Sequence, residues 1–267
     1  MPLTPAQIEA QALAHHEAER ERRQIPAFSR TRDMDLADAY AVQDAWVRLK
    51  TGEGRRIIGR KVGLTSRAMQ DAMNIDEPDF GTLLDDMLFS NGATLRAADF
   101  LDPRIEVEWT FVLGRSLAGA DLTVADVMAA TDYVTPSIEL IAARSHRTDP
   151  DTGYTRKVFD TISDNAANAG ILVGERRVDP AEIDLRWAGA ILYRNGVVEE
   201  TGLGAGILDH PANGLVWLAR RFASHGIALE AGHYIMSGSF TRPVIARAGD
   251  NFIADFGPHG SVEVAFT

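Results

Sequence analysis

The clearest pattern of hydrophobic and polar residues in this chain runs from Arg104 to Leu113. Apolar and polar side chains alternate there with the period of a half-buried β-strand, whose successive side chains point to opposite faces. One face of the predicted strand is wholly apolar and carries Ile105, Val107, Trp109 and Phe111. Glu106 and Glu108 share the opposite face, about 7 Å apart by the rise of a strand. The pattern therefore predicts a core strand that carries two carboxylates on its other side.

Helical periodicity dominates the first part of the chain. A threonine–proline pair is typical of a helix start and predicts a helix over residues 4–23. A stripe of apolar side chains predicts a second helix over 35–50. A short strand that contains glycine is predicted over 57–64, and a serine-capped helix is predicted over 66–73.

Predicted strands dominate the rest of the chain. Residues 133–141 form one such strand, and Pro136 within it predicts a place at a sheet edge or at a bulge. An Asn-Gly pair predicts a tight hairpin over 191–198, because these residues tolerate the positive φ angles of its turn. Two helices interrupt the strands and are predicted to begin near residues 123 and 211.

This distribution predicts an α+β fold in which a helical N-terminal layer covers a mainly β core. We divide the chain into a helical N-terminal region, residues 1–90, whose short strand carries Lys61, and a β-rich catalytic core, residues 91–267.

Composition narrows the classes of partner. The net charge of −11 argues against nucleic acid as the main partner, because phosphate binding favours a basic surface. It also argues against an anionic membrane surface, and no apolar run approaches the ~18 residues of a membrane span. The chain has no cysteine, which excludes thiolate catalysis and cysteine-type zinc sites and is compatible with the cytoplasm, where we expect the protein.

The two neighbouring glutamates are the first candidates for chemistry. Glu106 and Glu108 repel each other unless a positive group lies between them. A divalent cation would satisfy them, and a site made only of oxygen ligands suits Mg²⁺ or Mn²⁺. A solvated strand face neutralised by a nearby lysine or arginine explains the same spacing. Glu139 lies in the apolar half of its predicted strand, where an unpaired charge is expensive, and is a candidate third ligand.

Lys61 has two explanations. It lies between small residues in a short apolar strand, where it could protect a sheet edge from aggregation. Alternatively it is a desolvated ammonium that faces a ligand. His15 and His16 lie on the first predicted helix and are expected to be exposed to solvent.

Six segments of the chain resemble the hydratase/decarboxylase family of aromatic meta-cleavage pathways. They occur in the same order as in that family, with similar spacing, over almost the whole chain. The segment from Asp160 to Gly170 is the most specific of them. The six segments are residues 59–66, 77–81, 103–108, 132–139, 158–170 and 238–243.

The resemblance implies a fumarylacetoacetase-type fold, with a mixed β-sandwich or β-roll core, and a homo-oligomer. It implies that Glu106, Glu108 and Glu139 bind Mg²⁺ or Mn²⁺. It also implies a catalytic lysine at Lys61 and a catalytic acidic residue at Asp79.

The activity that the resemblance implies is hydration of a small 2-oxo dicarboxylate. The expected reaction converts 2-oxohept-4-ene-1,7-dioate into 4-hydroxy-2-oxoheptanedioate, in the breakdown of 4-hydroxyphenylacetate through homoprotocatechuate. An arginine is expected to bind the distal carboxylate, although the sequence does not single one out. The alternatives are hydration of 2-hydroxypentadienoate, decarboxylation of 4-oxalocrotonate, and a non-catalytic scaffold role beside a decarboxylase.

Overall fold

The structure is a computed structural model that describes residues 2–267. Its α-helices are α1 (Pro5–Glu21), α2 (Leu36–Gly52), α3 (Arg67–Met73), α4 (Val124–Ala130), α5 (Val158–Ser163) and α6 (Ala212–Ala223). Its first strands are β1 (Ile57–Gly63), β2 (Asp79–Leu84), β3 (Leu88–Phe89), β4 (Ala93–Leu95), β5 (Arg104–Leu113), β6 (Thr131–Ile141) and β7 (Asn168–Val173). The remaining strands are β8 (Gly189–Arg194), β9 (Val197–Leu203), β10 (Tyr234–Ser239), β11 (Val244–Ile245), β12 (Asn251–Asp255) and β13 (Ser261–Phe266). Between residues 2 and 267, no helix is long and apolar enough to span a membrane.

The strands form two mixed sheets. The larger sheet has the order β2-β1-β10-β5-β6-β7-β3, with β11 paired to β5. The smaller sheet has the order β4-β13-β12-β8-β9. The pairs β1–β10, β3–β7 and β4–β13 are parallel, and the other paired strands are antiparallel. The predicted α+β class is therefore confirmed.

The apolar face of β5 packs toward the smaller sheet. Trp109 meets Phe256, which follows β12, at a ring-centroid distance of 4.9 Å in an edge-to-face arrangement. Ile105 and Val107 are fully buried in the same apolar cluster as Phe252 of β12. The alternation in the sequence thus predicts the core face of β5 correctly, and the acidic face points away from this core.

Helices α1 and α2 form an N-terminal layer. Thr4 accepts the backbone N–H of Gln7 with its hydroxyl and caps α1, as the sequence predicts. The expectation that His15 and His16 are exposed is wrong, because α1 packs against the rest of the protein on the side that carries them. His15 is fully buried and meets the Phe28 ring at 5.0 Å.

The expectation that Pro136 marks an edge or a bulge is also wrong. Its strand, β6, lies between β5 and β7. Pro136 sits where β7 ends, and its carbonyl accepts the N–H of Gly174 at 2.8 Å. The hydroxyl of Thr135 donates to the Gly174 carbonyl at 3.0 Å, which supplies the donor that proline lacks.

Strands β1 and β2 come from the first 90 residues but belong to the larger sheet. Strand β1 lies between β2 and β10, and β10 lies next to β5. The sheet therefore brings the lysine strand to one side of the glutamate strands. The boundary at residue 90 stays a prediction.

Candidate metal centre and active site

Three glutamates converge on the face of the larger sheet opposite the apolar core. The antiparallel register places Glu106 directly opposite Glu139, with Glu108 two residues farther along β5. Each glutamate offers one oxygen atom, and these three atoms all lie within 4.8 Å of one another. Glu108 and Glu139 are buried, and Glu106 is half-buried. The acidic face of β5 is therefore largely buried, and the alternative explanation of a solvated strand face is wrong.

The convergence of the glutamates raises the affinity of Glu106 and Glu108 for protons. Burial, and next the charge of Glu139, raise the pKa of Glu106 to about 7. The same two causes raise the pKa of Glu108 well above its ordinary value. Burial removes water from each carboxylate, and a second negative charge nearby disfavours its ionised form. A bound cation would favour the ionised carboxylates and so lower the pKa of both residues.

The hydrogen bonds of the cluster leave acceptor atoms free. Asn168 donates to Oε1 of Glu139 at 2.8 Å, whereas Oε2 of Glu139 is buried without a partner among residues 2–267. The backbone N–H of Gly238 donates to Oε2 of Glu108 at 2.9 Å. A Cβ at Gly238 would lie 2.4 Å from the Thr65 hydroxyl, and its φ of +112° also favours glycine. An orphaned buried oxygen within an all-oxygen donor set fits a hard divalent cation.

Lys61 reaches the glutamates from β1. Its Nζ lies 3.5 Å from Oε1 of Glu139, and its side chain is 5% exposed. Burial lowers the pKa of this ammonium, but the carboxylates of Glu139 and Asp79 outweigh burial and raise it. Since β1 is flanked on both sides, the explanation of Lys61 as an edge-strand residue is wrong.

Asp79 lies beside Lys61. Its strand register places it opposite Gly63, and a Cβ at Gly63 would lie 2.3 Å from Oδ1 of Asp79 and 3.1 Å from Nζ of Lys61. Oδ1 of Asp79 is buried without a hydrogen-bond partner in the described part of the chain. Burial raises the pKa of Asp79, although Lys61 opposes the shift. The structure thus gathers all five residues that the sequence singles out.

Asn168 and Gly238 contact the glutamates but were not singled out from the sequence. Both lie in segments that resemble the family, so the motifs marked their neighbourhood. Their roles depend on hydrogen bonds between distant parts of the chain, Asn168 with Glu139 and Gly238 with Glu108. No local pattern in the sequence encodes those contacts.

Comparison with known proteins yields extensive matches, although no family model matches the chain. A 2-oxo-hept-4-ene-1,7-dioate hydratase of Escherichia coli is 55% identical over 94% of each chain. A 2-hydroxyhexa-2,4-dienoate hydratase of Comamonas testosteroni is 36% identical over 97% of each chain.

Solved structures give the same picture. The 4-oxalocrotonate decarboxylase of Pseudomonas putida G7, complexed with magnesium and adipate, superposes with a TM-score of 0.93 at 33% identity over 99% of each chain. A fumarylpyruvate hydrolase of Pseudomonas aeruginosa shares the fold alone, with a TM-score of 0.56 at 14% identity over 80% of this chain and 89% of that chain. The fumarylacetoacetase-type fold is therefore confirmed. With these relatives matched along nearly its whole length, the chain belongs to the hydratase/decarboxylase family that its sequence motifs resemble.

Proposed function

We propose that the protein is a divalent-metal-dependent hydratase that converts 2-oxohept-4-ene-1,7-dioate into 4-hydroxy-2-oxoheptanedioate. The observation that carries this proposal is the buried cluster of three glutamates with Lys61 in contact with one of them. The 55% identity to a hydratase of this diacid supports the substrate, because the hydratase of a six-carbon acid is only 36% identical.

Glu106, Glu108 and Glu139 would hold Mg²⁺ or Mn²⁺ through one oxygen each. Their oxygens lie close enough to share one ion, and the magnesium complex of the decarboxylase relative supports the choice of metal. When bound, the cation supplies Lewis-acid polarisation of the 2-oxo acid. Asn168 and the Gly238 N–H fix the orientation of two carboxylates, the role that surrounding hydrogen bonds have in metal sites.

Lys61 and Asp79 would handle the protons. The substrate first loses a proton from C3 and gains one at C5, which moves the double bond into conjugation with the 2-oxo group. Water then adds, with its hydroxyl at C4 and its proton at C3. These steps need a proton acceptor and a donor side by side, and Nζ of Lys61 and the free Oδ1 of Asp79 both contact the space beside Gly63. Both side chains are buried, so bulk solvent screens their charges little.

The assembly is part of the same proposal. We expect a homo-oligomer, which the family resemblance implies. Exposed large apolar side chains support an interface in the region of the β8–β9 hairpin: Trp187 lies just before β8, and Val197 and Val198 begin β9. Light scattering coupled to gel filtration would measure the subunit number, and a monomer at micromolar concentration would contradict the expectation.

Product analysis tests the reaction. The purified protein with Mg²⁺ should convert 2-oxohept-4-ene-1,7-dioate into a product heavier by one water, detected by mass spectrometry, without release of CO₂. The Glu139→Gln variant is the matched control and should be inactive. CO₂ release from 4-oxalocrotonate without hydration of the seven-carbon diacid would instead identify a decarboxylase.

A further inference from the structure

Three arginines lie together near the glutamates, and we refer to Arg104, Arg147 and Arg156 as the arginine cluster. Arg104 precedes Glu106 by two residues on β5, so both side chains leave the same face of the strand. Arg147 and Arg156 belong to the segment between β6 and α5, where the N–H of Arg156 donates to the Arg147 carbonyl at 3.0 Å.

The carboxylates in ion-pair contact with the cluster are shared. Oδ2 of Asp102 accepts from Nε of Arg147 at 2.6 Å and from Nη2 of Arg104 at 3.4 Å, so one carboxylate serves two guanidinium groups. Arg156 lies 3.5 Å from Asp164, which Arg144 also engages at 3.0 Å.

Two N–H groups of the cluster have no acceptor. Nε of Arg104 and Nη2 of Arg147 are buried without a hydrogen-bond partner among residues 2–267. Buried polar groups usually have a partner, and a guanidinium has no way to lose its charge. An anion with two oxygens would satisfy both donors.

The site opens toward this cluster. Along one face of β5, Glu108 is buried, Glu106 is half-buried, and the Arg104 side chain is 27% exposed. The side chain of Arg147 is 23% exposed, whereas Lys61 and Asp79 are buried at the other end. A substrate that is anchored at the glutamates and too long for the closed end would therefore extend past Glu106 toward Arg104.

We propose that Arg104 and Arg147 bind the distal carboxylate, C7, of the substrate and thereby select a diacid over a monoacid. This inference rests on the proposed function, because it assumes that the 2-oxo acid end occupies the glutamate cluster. Arg156 has a positioning role, since its backbone holds the carbonyl of Arg147 and its side chain is 5% exposed.

The surrounding structure preorganises the two binding arginines. The N–H of Ala143 donates to the Leu101 carbonyl at 2.7 Å, which fixes the chain that leads to Arg147 beside the chain that leads to Arg104. Asp102 then orients both guanidinium groups from between them. Preorganised donors lose little freedom when the anion binds, which favours affinity.

The electrostatics of the cluster favour binding of an anion. Burial, and next the charge of Arg104, lower the pKa of Arg147. Burial, and next the charge of Arg147, lower the pKa of Arg156 to about 10. The guanidinium groups of Arg147 and Arg156 are thus repelled by positive neighbours, and a bound carboxylate would relieve that repulsion.

A pair of unreactive ligands tests the subsite without turnover. 2-Oxoheptanedioate and 2-oxoheptanoate share the 2-oxo acid end and differ at C7, where only the first has a carboxylate. With Mg²⁺ present, calorimetry should show that the protein prefers the diacid by roughly 10- to 100-fold, the range for a charge-assisted contact. Arg147→Met and Arg104→Met should each remove most of that preference, and Arg147→Lys should retain part of it.

Kinetics and a control complete the test. The ratio of kcat/KM for 2-oxohept-4-ene-1,7-dioate to that for 2-hydroxypentadienoate should fall by the same factor in Arg147→Met. Arg23→Met is the matched control, because that side chain is 76% exposed, and it should leave the ratio unchanged. Circular dichroism would verify that each variant is folded.

The outcomes separate this inference from the proposed function. If both methionine variants keep the preference for the diacid ligand, the arginine subsite is wrong, even where hydration proceeds. If the protein fails to hydrate the diacid yet the variants abolish its binding preference, the subsite stands and the proposed reaction is wrong.

Discussion

Two clusters of buried charge adjoin at Asn168, whose side chain donates to Glu139 and whose carbonyl accepts from Arg144, and they are built differently. The first is the glutamate cluster with Lys61. The second, under α1, consists of Glu19, Lys50, Arg144 and Asp164. In the second cluster Arg144 donates to Glu19 at 2.6 Å and to Asp164 at 3.0 Å, and Lys50 contacts Glu19. Each of its carboxylates therefore has a basic partner within the chain.

Glutamates in the two clusters titrate in opposite directions. Burial raises the pKa of Glu19, but Arg144 and Lys50 outweigh burial and lower it to about 2. Burial and Glu139 raise the pKa of Glu106 to about 7. Burial is common to both residues, so the sign is decided by whether the nearest charges are opposite or alike. A cluster of matched charges is complete as part of the fold, whereas a cluster of like charges requires a ligand.

Removing the metal should have the largest effect and should affect only one cluster. Chelation should reduce hydration to background, because three carboxylates then share no cation, and added Mg²⁺ or Mn²⁺ should restore the rate. If the free metal concentration is about 100 times the Kd, removing the metal should also lower the free energy of unfolding by about 2.7 kcal/mol. Full activity in excess chelator, with no metal found by elemental analysis, would show that the glutamate cluster works without a cation.

Breaking the matched cluster should cost stability but leave the metal site able to bind. Arg144→Met leaves Glu19 and Asp164 without their main partner, and should lower the free energy of unfolding by about 3–5 kcal/mol, the range for a broken buried ion pair. Denaturant unfolding would measure this loss, and calorimetry would show Mg²⁺ binding near the original affinity. An unfolding curve like that of the original protein would show that the pairs contribute little.

Removing Lys61 should abolish most of the activity without weakening metal binding by the glutamate cluster. Lys61→Ala should lower kcat by at least ~100-fold, the lower range for a positioned acid or base. Lys61→Arg should not restore it, because a guanidinium does not give up its proton. Metal affinity should stay equal or increase, since a positive charge 3.5 Å from Glu139 is gone. Near-original kinetics in Lys61→Ala would assign proton transfer elsewhere.

Acid should weaken metal binding by a smaller factor. The cation requires ionised carboxylates, so protons compete with it below the pKa of Glu106, which is about 7. Apparent affinity should fall roughly tenfold between pH 8 and pH 6, as one proton with that pKa predicts. Calorimetry at both values would measure it, and an affinity independent of pH would contradict the raised pKa.

The free energy of unfolding of the metal-free protein should instead increase as the pH falls. The folded pKa of Glu106 lies above its ordinary value of 4.5, so its protonation stabilises the metal-free protein below that value. This contribution is lost as pH rises through about 7. In chelator, the melting temperature should therefore decline over this range in the original protein, and the decline should be smaller in Glu106→Gln.

The features of the glutamate cluster that depend on local sequence pattern could be predicted from the sequence. Alternation over residues 104–113 placed Glu106 and Glu108 on one face, since the strand period is a local property. The pairing of Glu139 with Glu106 depends on strand register, and family resemblance indicated it before the structure did. The burial of His15 was missed because α1 lacks a strong apolar stripe, and its polar side chains find partners across the fold.

The arginine cluster could not be predicted for a related reason. Arg104, Arg147 and Arg156 are spread over more than fifty positions, and Asp102 joins two of them through side-chain contacts. An arginine has no local signature that separates a binding role from an exposed surface role. Such donors are recognised only once their neighbours and their unpaired N–H groups are known.

The position of β10 constrains how the molecule is assembled on the ribosome. This strand, residues 234–239, is made late in translation, yet it lies between β1 and β5. A nascent chain that ends before residue 234 can pair β5 with β6, but it lacks the strand that joins β1 to β5 within the sheet. The glutamates can therefore gather early, whereas the sheet that holds Lys61 beside them is completed only near the end of synthesis. Such late, non-local pairing predicts slow refolding and a catalytically silent intermediate that already binds metal.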